Sequence, residues 1–451
     1  MAIIAPFKGI TYNSDLNQDI AHLVTPPYDV INTKEQKEYY LSHPYNMIRL
    51  ILGKKEDNDT DRNNTYTRAA AYFDKWQAEG ILTKDAEPCI YLTSLTYDPG
   101  EGMPLRTRWG IIALVRIEDA ESGVILPHEK TFSAHKDNRL SLTEACSAQF
   151  SQIFALYEDN KKTLHSCRAA CNNDPKIKFE FHDGTKHRMW VIRDKDLIRQ
   201  ITLHMKDKTL FIADGHHRYE TSRNYRNLMR TRYGSSSSSE RSYEYVTMYL
   251  SDMDDAGLTI LPSHRLIKEV PDFRISPFME KIRSWFDINT YGEESSGSTL
   301  FNSGLKHHLQ EKADTKTRIA FYSNGSDKYH IFTLKTGIEK EMGEDLHPAL
   351  KKLDVMILSR LILQKALGLN NQDLNNENLF KYESSLSNAI SNVKGGKYQM
   401  AFLLNPTKIE HVKEIARNSL VMPRKSTYFF PKILDGLVLN KLDPNETIQN
   451  P

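Results

Sequence analysis

The 451-residue chain has little cysteine: Cys89, Cys146, Cys167 and Cys171 are its 4 thiols. So few exclude a disulfide-stapled scaffold and fit a reducing compartment. Cys167 and Cys171 stand four apart in LHSCRAAC, and no second pair completes a thiolate metal cage. They are expected to form an inert helical pair. Long apolar runs are also missing. No window approaches ~18 apolar residues. The start, MAIIAPFKGITYN, lacks the charged head and apolar stretch of a leader. These absences predict a cytoplasmic protein with no membrane partner. No charge dominates either, since 60 Lys and Arg oppose 58 Asp and Glu for a net +2. No bulk field draws nucleic acid, and any anion site must be local. Neither GxxxxGK[ST] nor GxGxxG occurs. HEKTF begins like a zinc-protease HExxH but ends in Phe132, and PSHRL lacks the Asp of a protein-kinase catalytic loop.

What is present suffices for a sizeable core: 39% of residues are hydrophobic and 10% aromatic. A helix is predicted near 65–80, where Tyr66, Ala69, Ala70, Phe73 and Trp76 recur at helical spacing. CIYLTSLTY and RWGIIALVRI read as a hairpin across a turn-rich loop, and GVILPHEKTF as a third strand. KIKFEFHDGTKHRMWVIR and RIAFYSNGSDKYHIFTLK are hairpins turning at Asp183-Gly184 and Asn324-Gly325. Further helices are expected near 139–150, 195–205, 217–232, 350–366, 383–393 and 407–418, and GSSSSSERS (234–242) reads as a solvated loop. Hairpins mixed with helices predict an α+β fold. The texture changes near 268, so 1–268 is expected to be a catalytic core and 269–451 a C-terminal α+β region.

Three stretches carry chemistry. In FIADGHHRYETSRNYR, an apolar strand ends in Asp214, Gly215 permits a tight turn, and a helix starts at His216, His217 and Arg218. A carboxylate beside cationic donors and outward amides suits a metal–phosphate complex, with Asp214 on Mg²⁺ and the donors on oxygens. The alternative is a capping aspartate, a core histidine and a solvated basic helix. In LPHEKTF, Glu129 lies between His128 and Lys130, which can keep it ionised and ready to take a proton. The alternative is a solvated strand end. In MPRKSTYFFPK, Arg424, Lys425, Ser426, Thr427 and Lys432 are held between prolines. They form either a phosphate-binding loop or a basic surface loop.

PPYDVI, NMIRL, HEKT, SQIFALY, ADGHHRYET, LTILPSHRL and MPRKSTYFFPK occur in this order along nearly the whole chain. The set resembles a bacterial and archaeal family of formerly unknown function. Asp-Gly-His-His-Arg is also similar to an element of free serine kinases. Those kinases have a ParB/sulfiredoxin-like fold and make O-phospho-L-serine from free L-serine. The resemblance implies a ParB/sulfiredoxin-like mixed-sheet core with extra hairpins and helices. It implies phosphorylation of L-serine, with inorganic pyrophosphate favoured over ATP or ADP as donor. The kinase Asp falls on Asp214, its His and Arg on His216, His217 and Arg218, and its general base on Glu129. The C-terminal block has no counterpart in the shorter kinases, and its phosphate role is read from its residues. The serine carboxylate needs a cation, Arg49 or Arg265, and its ammonium an anion, Asp29, with His128 and Lys130 also at the substrate. Two other readings stay open: a metal-dependent phosphohydrolase acting on phosphoserine, and a non-catalytic ParB-like nucleotide-binding module.

Overall fold

The structure, a computed structural model, describes all residues except 17–18, 101–102, 130–132, 235–239, 293–297, 377 and 450–451, and only the backbone of 120, 133–137 and 298–300. The chain divides into two compact units. The first comprises Met1–Pro127, Thr131–Thr259 and Pro431–Pro451, and the second His128–Lys130 and Ile260–Phe430. This partition differs from the one expected at 268 in three places. The break falls after Thr259, a tripeptide from the HEKT block joins the second unit, and the last 21 residues return to the first. Their return has a physical basis. Ile10 and Leu439 exchange backbone hydrogen bonds of 2.9 and 2.7 Å, Thr25 and Asp435 do the same at 3.2 and 2.8 Å, and Val438 and Leu439 are fully buried.

The first unit is built on a nine-stranded mixed sheet. Its strands are β1 (Ile4–Ala5), β2 (Ile90–Tyr97), β3 (Arg106–Arg116), β4 (Ile125–Leu126), β5 (Ile153–Tyr157), β6 (Ile177–Glu180), β7 (Lys186–Ile192), β8 (Leu210–Asp214) and β9 (Tyr245–Asp252). The order is β4-β8-β5-β9-β3-β2-β7-β6, with β1 on β3. Parallel pairs β4–β8 and β5–β9 sit among antiparallel ones. Strand residues alternate between faces, as a pleat requires. Ile111, Ala113, Val115, Leu210 and Ile212 enter one core together with Ile198, Ile201 and Met205 of the helix Lys195–Met205. The two hairpins expected here form, β2–β3 and β6–β7, and Gly184 takes the left-handed turn conformation at φ 80°. The described part of GVILPHEKTF, up to Glu129, does not run as one strand. Among its described residues only Ile125–Leu126 forms a strand, since Pro127 has no amide to continue the ladder, and Glu129 makes a single bridge elsewhere. The helix expected at 139–150 occupies Ser133–Cys146, and Ser147 leaves it at φ 46°. Cys167 is buried and free, and burial pushes its thiol up to about 12, as expected of an inert residue.

The second unit has a six-stranded antiparallel sheet from β10 (His264–Ile267), β11 (Phe286–Gly292), β12 (Arg318–Ser323), β13 (Lys328–Leu334), β14 (Phe380–Glu383) and β15 (Met400–Leu404). Their order is β11-β13-β12-β15-β10-β14. Both faces are apolar. Ile319, Phe321, Phe402 and Leu404 enter one core, and Ala320, Tyr322, Ala401 and Leu403 the other. Helices Ile275–Arg283 and Ile409–Arg417 cover the first face, and Leu386–Lys394 the second. The helix expected over 350–366 is broken into Pro348–Lys351, Asp354–Ile357 and a π-helical Leu358–Ala366. Among the described residues, no helix is long and apolar enough to cross a membrane.

Candidate functional site

The site in the first unit begins with a flaw in the sheet. The register of β8 against β5 shifts between Ile212 and Asp214, a bulge that re-aims the last side chain of the strand. Gly215 then turns the chain at φ 91° into the helix His216–Tyr233. A β-carbon there would be strained, and it would lie 3.0 Å from the Arg218 guanidinium. Glycine thus lets Arg218 fold back over the turn and pair with Asp214 four residues earlier. Its other terminal nitrogen donates to the Gln152 carbonyl.

Lys432 completes the cluster from 218 residues away, pairing with the second oxygen of Asp214. Arg108, fully buried against the rings of Phe154 and Tyr249, donates to the Pro431 carbonyl at 2.8 Å and so fixes the residue before Lys432. Burial alone would raise the Asp214 pKa. Lys432, Arg218 and His216 outweigh it and hold the carboxyl well below the usual carboxylate range. Asp214 is therefore an anion clasped by cations, with its side chain 16% exposed. The helix has no acidic residue in its first turn and no side-chain cap, so its leading amides carry unopposed positive potential. His216 is buried and His217 half-buried on that turn.

The rest of the basic run is structural. Arg226, 3% exposed, donates to the Ile117 carbonyl at 2.9 Å and to Asp119 at 2.6 Å. Arg230 holds Glu244. Asp214 does not fit a protein-built Mg²⁺ cage: both oxygens face cations, and the described residues hold no group of three or more His, Cys, Asp or Glu that could bind a metal ion.

The second unit holds most of the other expected residues, while Arg49 and Asp29 belong to the first. His128 is fully buried, with its Nε2 3.1 Å from Thr427 Oγ1, and its carbonyl accepts from the Met422 amide at 2.9 Å. Glu129 bridges Met422 in parallel register. Lys130 lies outside the described residues. Arg265, 5% exposed, donates to the Ser263 carbonyl at 2.7 Å and to the carbonyls of Arg424 and Lys425 at 3.1 and 3.0 Å. The Ser426 hydroxyl donates to the Pro423 carbonyl at 2.6 Å. These contacts correct part of the expected loop. Ser426 and Thr427 turn inward to satisfy buried groups, while Lys425 is left exposed at φ 53°.

Two expected substrate cations are also otherwise engaged. Arg265 clamps the loop. Arg49 donates to the Tyr40 and His43 carbonyls at 2.8 and 2.7 Å and lies over the Tyr40 ring. Asp29 is exposed on the short helix Tyr28–Val30, within electrostatic reach of Arg218 and Asp435. Sequence reasoning missed Arg108, Arg139 and Asp435. Asp435 could have been flagged as an acid inside the apolar run ILDGLVL.

An α+β protein whose mixed sheet ends in an anion clasped by an arginine and a lysine is the class that fold and site define. The chain belongs to the family described as Protein of unknown function (DUF1015), whose model matches residues 4–356. No curated protein matches. Among solved structures, it is similar to a free serine kinase in complex with AMP, at 11% identity and TM-score 0.32 over 70% of this chain and 86% of that one. It is likewise similar to a conserved hypothetical protein from Pyrococcus furiosus, at 13% identity and TM-score 0.33 over 72% and 93%. A third is SbnI with C-terminal truncation from Staphylococcus aureus, at 10% identity and TM-score 0.31 over 72% and 85%.

Proposed function

We propose that the protein is a phosphotransferase that phosphorylates free L-serine to O-phospho-L-serine, with pyrophosphate favoured over ATP or ADP. The observation that best supports this reading is the cluster of Asp214, Arg218 and Lys432 at a bulged strand end, directly before an uncapped helix start. An incoming phosphate can take over Lys432 and Arg218 from Asp214 and accept from the helix amides. A compact polyanion matches such a site of point charges.

In the reaction, the serine hydroxyl attacks the terminal phosphorus of the donor. The bond to the bridging oxygen breaks, the remaining phosphate leaves with that electron pair, and Glu129 takes the hydroxyl proton. His216, His217 and Arg218 offset charge on the transferred group, and Arg424 and Lys425 the distal phosphate. Any Mg²⁺ would arrive on the donor, as this ion usually does. On this reading the first unit has a ParB/sulfiredoxin-like core.

The test is incubation with L-serine, Mg²⁺ and, separately, pyrophosphate, ATP or ADP. The expected product is phosphoserine, and Glu129→Gln should lower kcat by ~10²–10⁴. No phosphoserine with any donor overturns the reading. Donor consumed equally without serine would make the protein a phosphohydrolase instead.

A further inference from the structure

The chain re-enters the first unit at Pro431, one residue before Lys432. Two buried side chains hold the returning segment. Arg108, on β3, donates to the Pro431 carbonyl at 2.8 Å. Gln152, the residue before β5, donates its amide nitrogen to the Val438 carbonyl. Arg108 is 0% exposed and Gln152 1%, so both bonds are made out of water. Between them, the main-chain pair of Thr25 and Asp435 secures the middle of the segment.

Both side chains are costly to place there. A guanidinium inside a sheet must be desolvated, and stacking on Phe154 at 4.7 Å and Tyr249 at 5.5 Å offsets only part of that. A buried amide must likewise find partners. What each one holds is the stretch that carries Lys432. Gln152 also acts on the other cation, because its own carbonyl accepts from Arg218. One residue thus ties both partners of Asp214: Arg218 through its main chain, and the Lys432 segment through its side chain. A lysine on a loose loop loses rotamer freedom when it meets a phosphate, and a lysine already held at the site loses less.

We propose that Arg108 and Gln152 are positioning residues for the anion site, which hold the segment Pro431–Val438 so that Lys432 stands against Asp214. They act through Lys432. Arg108 has the larger share, because it grips the residue next to Lys432, whereas Asp435 and its main-chain pair lie between Lys432 and the grip of Gln152. Loss of either contact frees the start of the segment before the rest of the unit opens. The hold on Lys432 rests on these contacts alone. Only its bearing on a phosphoryl donor rests on the phosphotransferase reading.

The test is acetylation of lysine amines in the full-length protein without ligand, read residue by residue by mass spectrometry. The side chain of Lys432 is 14% exposed on Asp214. Lys208 is the internal control, with a side chain 7% exposed and its ammonium on Asn160 of the same unit. Arg108→Met, which keeps an apolar stem on the two rings, should speed labelling of Lys432 roughly tenfold, the worth of one buried hydrogen bond, and leave Lys208 unchanged. Gln152→Met keeps the main-chain carbonyl for Arg218 and should give a rise of roughly threefold. It decides the matter should Arg108→Met fail to fold. Lys432 staying protected, or both lysines opening together in Gln152→Met, overturns the proposal. A calorimetric cycle with pyrophosphate adds a second readout. Arg108→Met should weaken binding roughly tenfold on its own and not at all in a Lys432→Met background. Equal losses in both backgrounds also overturn it. Pyrophosphate that fails to bind wild type would sink the donor reading and leave the labelling to judge the positioning.

Discussion

Arg139 of the first unit and Arg265 of the second unit share three properties. Each is an arginine largely out of solvent, each lies on a tyrosine ring, and burial lowers the pKa of both, that of Arg265 to about 10. They differ in what their donors hold. Arg265 spends both terminal nitrogens on main-chain carbonyls of its own unit, which makes it a clamp on the loop after Pro423. Arg139 keeps Nε in reserve beside a pocket. A cation is available for a ligand when the fold leaves it a donor, and charge alone does not decide. Asp214 extends the point to anions, since both its oxygens already face cations that a phosphate could claim.

The largest effect is expected at Asp214. Asp214→Ala takes the carboxylate away from Arg218 and Lys432 in a largely buried place. Breaking a buried pair on one side typically costs about 3–5 kcal/mol, so the midpoint of denaturant unfolding should fall sharply. Saturating pyrophosphate should recover part of that loss by taking both cations. No change in midpoint would mean that the cluster is solvated and the anion site is misread.

Asp435 comes next and depends on pH. Burial, partly offset by Arg218, raises its pKa from 3.8 to about 7, a shift equivalent to roughly 4 kcal/mol. Between these values the folded protein holds a proton that the unfolded chain releases. Its contribution is therefore fully present below about pH 4 and is lost as pH rises to 7. Asp435→Asn should remove this slope from stability measured between pH 4 and 8. An unchanged slope would place Asp435 in solvent and weaken the contrast with Arg265.

Much of the fold was legible because hairpin turns and apolar alternation are local. Asp183-Gly184 and the run before Asp214 announce themselves within a dozen residues. The junction from Asp214 to Arg218 was legible for the same reason. What stayed hidden is long-range. Nothing near Lys432 says that the last 21 residues rejoin the first unit, because that is decided by backbone pairing with Ile10 and Thr25. Nothing near Arg265 says that its partners are carbonyls some 160 residues away. Ser426 and Thr427 read as phosphate hydroxyls in sequence, yet their surroundings turn them inward. The order of residues shows which groups could bind; the tertiary contacts show which are still free to do so.

The smallest effect tests the clamp itself. Arg265→Met keeps an unbranched stem but leaves the carbonyls of Ser263, Arg424 and Lys425 without their donor. Losing such bonds in a buried setting costs about 1–3 kcal/mol. Because the loop then loses its anchor, the KM for the phosphate donor should rise while that for serine stays put. Arg139→Gln leaves that loop untouched and should spare the donor KM. If Arg139→Gln raised the donor KM as strongly as Arg265→Met does, the two arginines would share one role. The distinction between a clamp and a reserve would then fail.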